Sequence, residues 1–418
     1  MNVIKRSGTR VSFNENKILS AITRANNSVE EKDRLSDAQI QVIVGNVVEF
    51  CKSLERAVNV EEIQDKVEEE ISKINFAVAK NYITYRYDRM LARDKYAKME
   101  QIIHDKLMAT DVQNQNANVD EKSFGGRVGE TTSAIMKQYA LDHCMTKMSK
   151  NNHLNNEIYI HDLDSYSVGM HNCLSVPFDK LLAKGFNTRQ TDVRPANSVN
   201  TAFQLVAVLF QLQSLMQFGG VSATHIDWTM VPYVRKSFLK HYIDGMKYVE
   251  RKTDQLKYNK NNVADVSIES TYWKQYPGAY EYAMDMTKKE IKQAVEACYH
   301  NLNTLQSRSG NQLPFSSINY GTCTLTEGRL ITKALLEVSI EGIGKLHKTS
   351  IFPCGIFQCM KGVNRAPGDP NYDLFQLALR STAQRLYPNY ANVDWSGNAG
   401  YDRNDPKTYF STINKTVA

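Results

Sequence analysis

The sequence predicts an α/β protein in two parts: a small module of one hairpin and four helices, then a larger region built on a parallel sheet or barrel. Three observations predict it. The 418 residues exceed what one ordinary core organises. The first part carries one hairpin pattern followed by four helical periods. The later segments alternate apolar strand runs with helical periods, as parallel sheets require. Hydrophobic residues make up 42%, enough for a large interior.

The module occupies residues 1–95. Val3-Ile4-Lys5-Arg6 and Arg10-Val11-Ser12-Phe13 flank Ser7-Gly8-Thr9, a hairpin in which glycine supplies the unusual turn angle. Asn14 caps a helix with Ile18, Ala21, Ile22 and Ala25 on one face. A second helix starts near Asp37, with Ile40, Ile43, Val44, Val47 and Val48 inward. A third carries Val60, Ile63, Val67 and Ile71, and a fourth runs from near Phe76 to about Leu107. Residues 96–128 form a helix extension and a polar linker. The remaining region, 129–418, opens with a helix over 129–149. Glu157 to His161 alternates as a strand, and a short strand follows around Cys173. An uncharged helix covers 199–218 and stops at Gly219-Gly220. Helices are expected at 230–260, 278–306, 326–346 and 373–386, with strands at 314–320 and 349–360.

Net charge is +6, spread along the chain, which fits a phosphorylated small-molecule partner better than nucleic acid. The 7 cysteines are odd in number and irregular in spacing, which argues for a reducing, cytoplasmic setting. No Cys-x-x-Cys pair is present, so no zinc ribbon is written here. Met1 to Arg6 has no apolar signal core. The uncharged stretch from Ser198 to Ile226 contains Asn200, Thr201, Gln204, Gln211, Gln213, Ser214 and Gln217. Each would need a partner in lipid, so this stretch reads as a buried helix and not a membrane span.

Lys5, Arg6 and Lys17 cluster about the helix start at Asn14, where free N–H groups already favour an anion. A triphosphate suits such a pocket; a solvated basic hairpin stays equally open on the residues alone. Cys173, on its residues alone, reads as a small buried hydrophobe. Cys354 and Cys359 flank a strand at i and i+5, on opposite sides. They are assigned to packing, as are Cys51, Cys144, Cys298 and Cys323. His161, Asp162 and Asp164 lack a further regularly spaced ligand, so no metal is assigned and hydrogen bonds at a strand end are expected. Gly342-Ile-Gly-Lys345 lacks the Walker spacing and follows a helix, so it reads as a helix exit.

Val3-x-Lys5-Arg6-x-Gly8, Phe13, Asn14, Lys17-Ile18 and Tyr85-Arg86-Tyr87-Asp88-Arg89 resemble the ATP-cone, the allosteric nucleotide-binding domain of ribonucleotide reductases. The resemblance implies that Lys5, Arg6, Asn14 and Lys17 contact ATP or dATP. The cone also occurs on transcriptional regulators, so alone it does not imply an enzyme.

Further strings lie in the order of the catalytic domain of anaerobic (class III) ribonucleotide reductases. They include Ile160-His161-Asp162-Leu163-Asp164, His171-Asn172-Cys173, Ser198-Val199-Asn200-Thr201-Ala202, Gln217-Phe218-Gly219-Gly220, Phe352-Pro353 and Gly368-Asp369-Pro370-Asn371-Tyr372. This resemblance implies an incomplete ten-stranded α/β barrel of the glycyl-radical enzyme type, in which half-barrels surround a cysteine-bearing loop. It implies reduction of ribonucleoside triphosphates to 2′-deoxyribonucleoside triphosphates, with Cys173 as the hydrogen donor to C2′. A thiol suits that role because its S–H bond is weak and sulfur tolerates oxidation. A radical-SAM activase, a homodimer, and formate or a small redox protein as reductant are implied as partners.

Asn389 to Thr412 resembles the approach to the family's active-site loop, and the sequence departs from the pattern at Ile413. The thiyl cysteine, the glycyl radical and the four-cysteine zinc site of the family have no counterpart residues here. The resemblance therefore implies an N-terminal portion, inactive alone. A non-catalytic ATP/dATP-binding regulatory protein, or one piece of a split reductase completed by a C-terminal polypeptide, is the alternative.

Overall fold

The computed structural model describes residues 1–6, 8–108, 123–169, 173–216, 219–252, 265–308, 312–394 and 402–409. The chain divides into two compact units, Met1–His104 and Asp105–Ala418.

In the first unit, β1 (Asn2–Ile4) pairs antiparallel with β2 (Arg10–Ser12), Val3 opposite Val11. The helices are α1 (Glu15–Asn27), α2 (Asp37–Ser53), α3 (Val60–Ile74) and α4 (Phe76–Leu107). The first three starts have local causes. The Asn14 side chain accepts from the Asn16 N–H at 3.0 Å, and Ser36–Gln39 and Asn59–Glu62 close reciprocal capping boxes. A short β3 (Val58–Asn59) adds to β1 in parallel and was not expected. Ile18, Ile22, Ile43, Val47, Val67 and Ile71 form the core, as the helical periods require.

In the second unit, α5 (Phe124–Tyr139) begins inside the expected linker, because the Ser123 hydroxyl caps it by accepting from the Gly126 N–H at 3.0 Å. The rest of that linker, 109–122, lies outside the described residues. The expected helix over 129–149 breaks into the end of α5, a π-turn (Ala140–Cys144) and α6 (Lys147–Leu154). The expected strand from Glu157 to His161 does not form. The N–H groups of Glu157 and Ile158 donate to the Asn152 carbonyl at 2.9 and 3.3 Å. That of Ile160 donates to His153 Nδ1 at 3.2 Å. With its donors spent on α6, the segment cannot join a ladder, and it turns through Asp162 (φ 58°) into α7 (Leu163–Tyr166).

Then follow β4 (Leu174–Ser175), α8 (Phe178–Lys184), a small hairpin of β5 (Phe186–Asn187) and β6 (Asp192–Val193), α9 (Val199–Ser214), β7 (Val221–Ala223) and α10 (Ile226–Tyr248). After them come α11 (Pro277–Thr304), β8 (Ser316–Tyr320), α12 (Thr326–Glu341), β9 (Cys354–Cys359), α13 (Tyr372–Arg385) and β10 (Asn389–Asn392). Strands β4, β7, β8, β9 and β10 form one 5-stranded sheet in the order β10-β9-β8-β7-β4, every pairing parallel. The α/β class is the one expected, and these strands make up half the number in a ten-stranded barrel.

One sheet face, with Val221, Ala223, Ile318, Tyr320 and Phe357, packs on Phe203, Phe210, Phe238, Leu302 and Leu335 of the helices. The other presents Ser175, Ser222, Ser317 and Asn319 by strand alternation. Gly342 (φ 75°) closes α12 by donating its N–H to the Val338 carbonyl, the helix exit expected there. No helix among the described residues is long and apolar enough to cross a membrane.

Candidate functional site

The first candidate site is a cavity of about 220 Å³ in the N-terminal unit. Strand β2 runs directly into the Asn14 cap of α1, so Lys17 stands in the first helical turn. Lys5, just past the paired β1, meets it from the other side. Lys5, Asn14 and Lys17 all line the cavity, whose floor is apolar: Val3, Val11, Ile18, Ile63, Val67 and the buried Tyr82 ring. Burial pushes the Tyr82 phenol up to about 12, so it stays neutral. An apolar floor with cations at its rim accommodates a ring and an attached anion together.

Arg6, expected in the same pocket, turns away. Its guanidinium binds Glu61 and donates to Gln64 Oε1 at 2.7 Å. It lines a neighbouring cavity with Glu61, Glu68, Arg86 and Arg93. Arg86 reaches Asp65 at 2.7 Å, Glu68 at 2.8 Å and Glu61 at 2.5 Å. The Arg6 hydrogen bond chiefly holds the Glu61 carboxyl below its usual value, against the opposing effect of burial. Arg86, Arg89 and Arg93 line a third cavity with Gln64 and Tyr82. No site role was assigned to these arginines from sequence. Their spacing of three and four residues, which places them on one side of α4, was the available signal.

The second candidate site is the amino edge of the parallel sheet. Cys173 stands immediately before β4 with its side chain exposed. The Gly220 N–H, at the start of β7, donates to Cys173 Sγ at 3.4 Å. Val221 in turn donates to the Phe315 carbonyl at 2.8 Å, so β4, β7 and β8 begin side by side. The Arg308 guanidinium lies 3.9 Å from the Phe315 ring centroid. Burial lowers its pKa to about 10 against the opposing fields of Asp162, Asp164 and Cys173. His171 and Asn172 lie outside the described residues.

The other expected sulfur and carboxylate roles fare unevenly. Cys51, Cys298 and Cys323 are buried, and burial pushes the Cys298 thiol up to about 12. Cys144 is exposed, which overturns its packing assignment: it ends the π-turn where the chain leaves the helix stack. Cys354 and Cys359 are half-buried against the core, and the Cys354 S–H donates to the Tyr387 hydroxyl at 3.7 Å. His161 pairs with Asp162, and Asp164 accepts from the Ser133 hydroxyl at 2.5 Å. The first contact sits in the turn before α7 and the second joins α7 to α5, neither at a strand end. Among the described residues, no group of 3 or more His, Cys, Asp and Glu could hold a metal ion.

The family model described as anaerobic ribonucleoside-triphosphate reductase matches residues 115–409, and the ATP cone domain model matches residues 1–91. This chain belongs to the anaerobic ribonucleoside-triphosphate reductase family. It is similar to the anaerobic ribonucleoside-triphosphate reductase of Haemophilus influenzae, 32% identical over 396 residues, covering 94% of this chain and 52% of that protein. The Escherichia coli K12 protein of the same name is 31% identical over 397 residues, covering 94% and 51%. The chain thus spans about half the length of these curated relatives. The solved anaerobic ribonucleotide reductase of Thermotoga maritima in complex with dATP and CTP aligns at TM-score 0.46 and 13% identity, over 74% of this chain and 50% of that one.

In this reductase-family chain the opposite, carboxyl edge of the sheet is held by a buried carboxylate. Asp227, in the first turn of α10, is 0% exposed. Its Oδ2 accepts from the N–H groups of Gly321 and Cys323, each at 2.9 Å, and its Oδ1 accepts from that of Trp228 at 3.0 Å. Burial raises its pKa from 3.8 to about 6, and those hydrogen bonds only partly offset it. The amides of Asn364 and Asn371 donate to the Gly321 carbonyl at 2.9 and 3.1 Å. This network fixes the loop after β8, and through it the strand that carries Ser317 and Asn319.

Proposed function

We propose that the chain supplies two functions of an anaerobic ribonucleoside-triphosphate reductase: effector binding in residues 1–95 and the donor thiol of the catalytic region in 129–418. The observation that carries this reading is the tandem of the two family matches, each falling on a separately built site. Lys5, Asn14 and Lys17 bind the phosphates of ATP or dATP, whose base and sugar occupy the apolar floor. Arg6, turned to Glu61 and Gln64, braces the side of that pocket that Gln64 lines.

Cys173 delivers hydrogen to C2′ as the 2′-hydroxyl leaves as water, and the reductant of the family, formate or a small redox protein, restores the oxidised thiol. The initiating abstraction at C3′, the glycyl radical and the zinc site of the family are given to no residue of this sequence. A radical-SAM activase and a complementing C-terminal polypeptide are the partners, a homodimer is the assembly, ribonucleoside triphosphates are the substrates and the cytoplasm is the location. Support for all of these comes from the family resemblance. Equilibrium dialysis of the full chain against labelled dATP and ATP tests the first function, and absence of binding of either nucleotide would remove it. Incubation with CTP and the activase tests the second: no dCTP is expected from the chain alone, and clear turnover would refute the division of labour.

A further inference from the structure

Residues 402–409 are tied to both margins of the 5-stranded sheet at its carboxyl edge. At one margin, Lys407 Nζ meets Asp179 Oδ2 at 2.8 Å, in α8 just after β4. At the other, the Tyr409 ring is buried with Met360 and Val393, the residues that follow β9 and β10. Arg403 adds to that margin by donating to the Lys361 carbonyl and lying 3.7 Å from Asp394. From β4 to β9 is three strand spacings, about 14 Å. The segment also holds its own turn. Asp405 accepts from the Lys407 N–H at 3.0 Å, and Thr408 Oγ1 accepts from the Asp402 N–H at 2.9 Å. It is a strap with its own shape, fastened at two points.

His225, after β7 and at the start of α10, lies in the field of that strap. Its Nδ1 is 2.9 Å from Thr224 Oγ1, whereas its Nε2 is buried with no hydrogen-bond partner. The charges that face it are Asp179 on α8 and Lys407 and Asp405 on the strap. Burial lowers its pKa below the ordinary 6.5, Asp179 and Asp405 act against that, and Lys407 adds to it. A neutral imidazole tolerates this setting. An imidazolium would leave a buried N–H⁺ unpaired and would compete with Lys407 for Asp179.

We propose that the Asp179–Lys407 pair fastens this strap and that protonation of His225 releases it. The step is one proton. An open strap exposes the imidazole to water, where it takes up a proton that the closed strap resists. The closed form is therefore favoured above about pH 6.5 and loses ground as pH falls through that value. Burial raises the Asp179 carboxyl, but the Lys407 contact outweighs it, so the pair itself stays ionised there. The inference extends the family reading: Asn389 to Thr412 resembles the approach to the active-site loop, so the fastener sets where that loop departs from the sheet.

Amide hydrogen exchange of residues 402–409 in the full chain, expressed as protection factors at pH 7.5 and pH 5.5, tests this. Wild-type protection should fall by up to about tenfold between those values, the ratio set by an open-state pKa near 6.5. In His225→Asn, which keeps a polar group toward Thr224 and cannot ionise, it should fall less than about twofold. Asp227 titrates in both proteins and cancels in the difference. Asp179→Asn should lower protection about two- to fivefold at pH 7.5, and adding Lys407→Met should lower it no further. Protection of the β8 and β9 amides should hold in every variant, which separates release of the strap from loss of the fold. Equal pH dependence in wild type and His225→Asn overturns the release, and unchanged protection in Asp179→Asn overturns the fastener. A wild-type segment unprotected at pH 7.5 overturns both. Each of these failures leaves the donor reading of Cys173 standing, because exchange needs no turnover.

Discussion

Replacing Asp227 by Asn should make the C-terminal unit less sensitive to pH. The Asp227 carboxyl is raised from 3.8 to about 6 by burial. Between those values the folded state binds a proton that the unfolded state has released. Stability from this group is therefore fully present below about pH 4 and is lost as pH rises through about 6. A shift of about 2 units corresponds to about 3 kcal/mol. Asn cannot ionise, so Asp227→Asn removes that loss. It also replaces one accepting oxygen by NH2, leaving at least one of the N–H groups of Gly321, Cys323 and Trp228 without its partner. That costs about 1–3 kcal/mol at every pH. The variant should be clearly less stable than wild type at pH 4 and close to it at pH 8, the gap narrowing by about 3 kcal/mol.

Urea unfolding followed by tryptophan fluorescence reads this unit selectively, because Trp228, Trp273 and Trp395 all lie in it. Other titrating groups are common to both proteins and cancel in the difference. A gap constant to within about 1 kcal/mol between pH 4 and pH 8 would refute a buried, ionising Asp227.

Three further outcomes follow from the geometry. Asn26→Ala removes the side chain that bridges the Leu35 carbonyl at 3.0 Å and the Leu35 N–H at 2.7 Å; it should cost the N-terminal unit about 1–3 kcal/mol, seen as faster amide exchange across residues 1–104. Gly328→Ala would set a methyl 2.3 Å from Cys323 Sγ and 2.6 Å from its Cβ; despite the better helix propensity of Ala, the C-terminal unit should lose about 1–3 kcal/mol in urea unfolding. Lys17→Ala should weaken dATP binding by about tenfold in calorimetry through loss of a charge-assisted contact, with no change in amide exchange elsewhere.

The N-terminal unit was legible because its signals are local. Asn14, Ser36 and Asn59 are cap residues beside strong helical periods, and the helices begin where those caps stand. The parallel sheet was legible only in its longer strands. Strands β4 and β7 have 2 and 3 residues, too few to show a period, and long-range pairing makes them strands. Glu157 to His161 misled for the opposite reason: it alternates well, but its backbone donors are claimed by the end of α6. Lys5, Asn14 and Lys17 came together as their spacing suggested, whereas Arg6 followed Glu61 and Gln64 of α3, partners that no local pattern reveals. The donor role of Cys173 came from resemblance alone, since its residues read as packing and the structure exposes it. Asp179, His225 and Lys407 could not be singled out from sequence, because residues so far apart in the chain meet only once the sheet sets its strand order.

Deoxynucleotide formation by the full chain, supplied with a radical-SAM activase and a polypeptide carrying the rest of the family sequence, is the most direct test of Cys173 as hydrogen donor. Wild-type chain should convert CTP to dCTP in that mixture, and Cys173→Ser should form none while binding dATP as before. Product from the Cys173→Ser chain at the wild-type rate, or none from the wild-type chain, would contradict it.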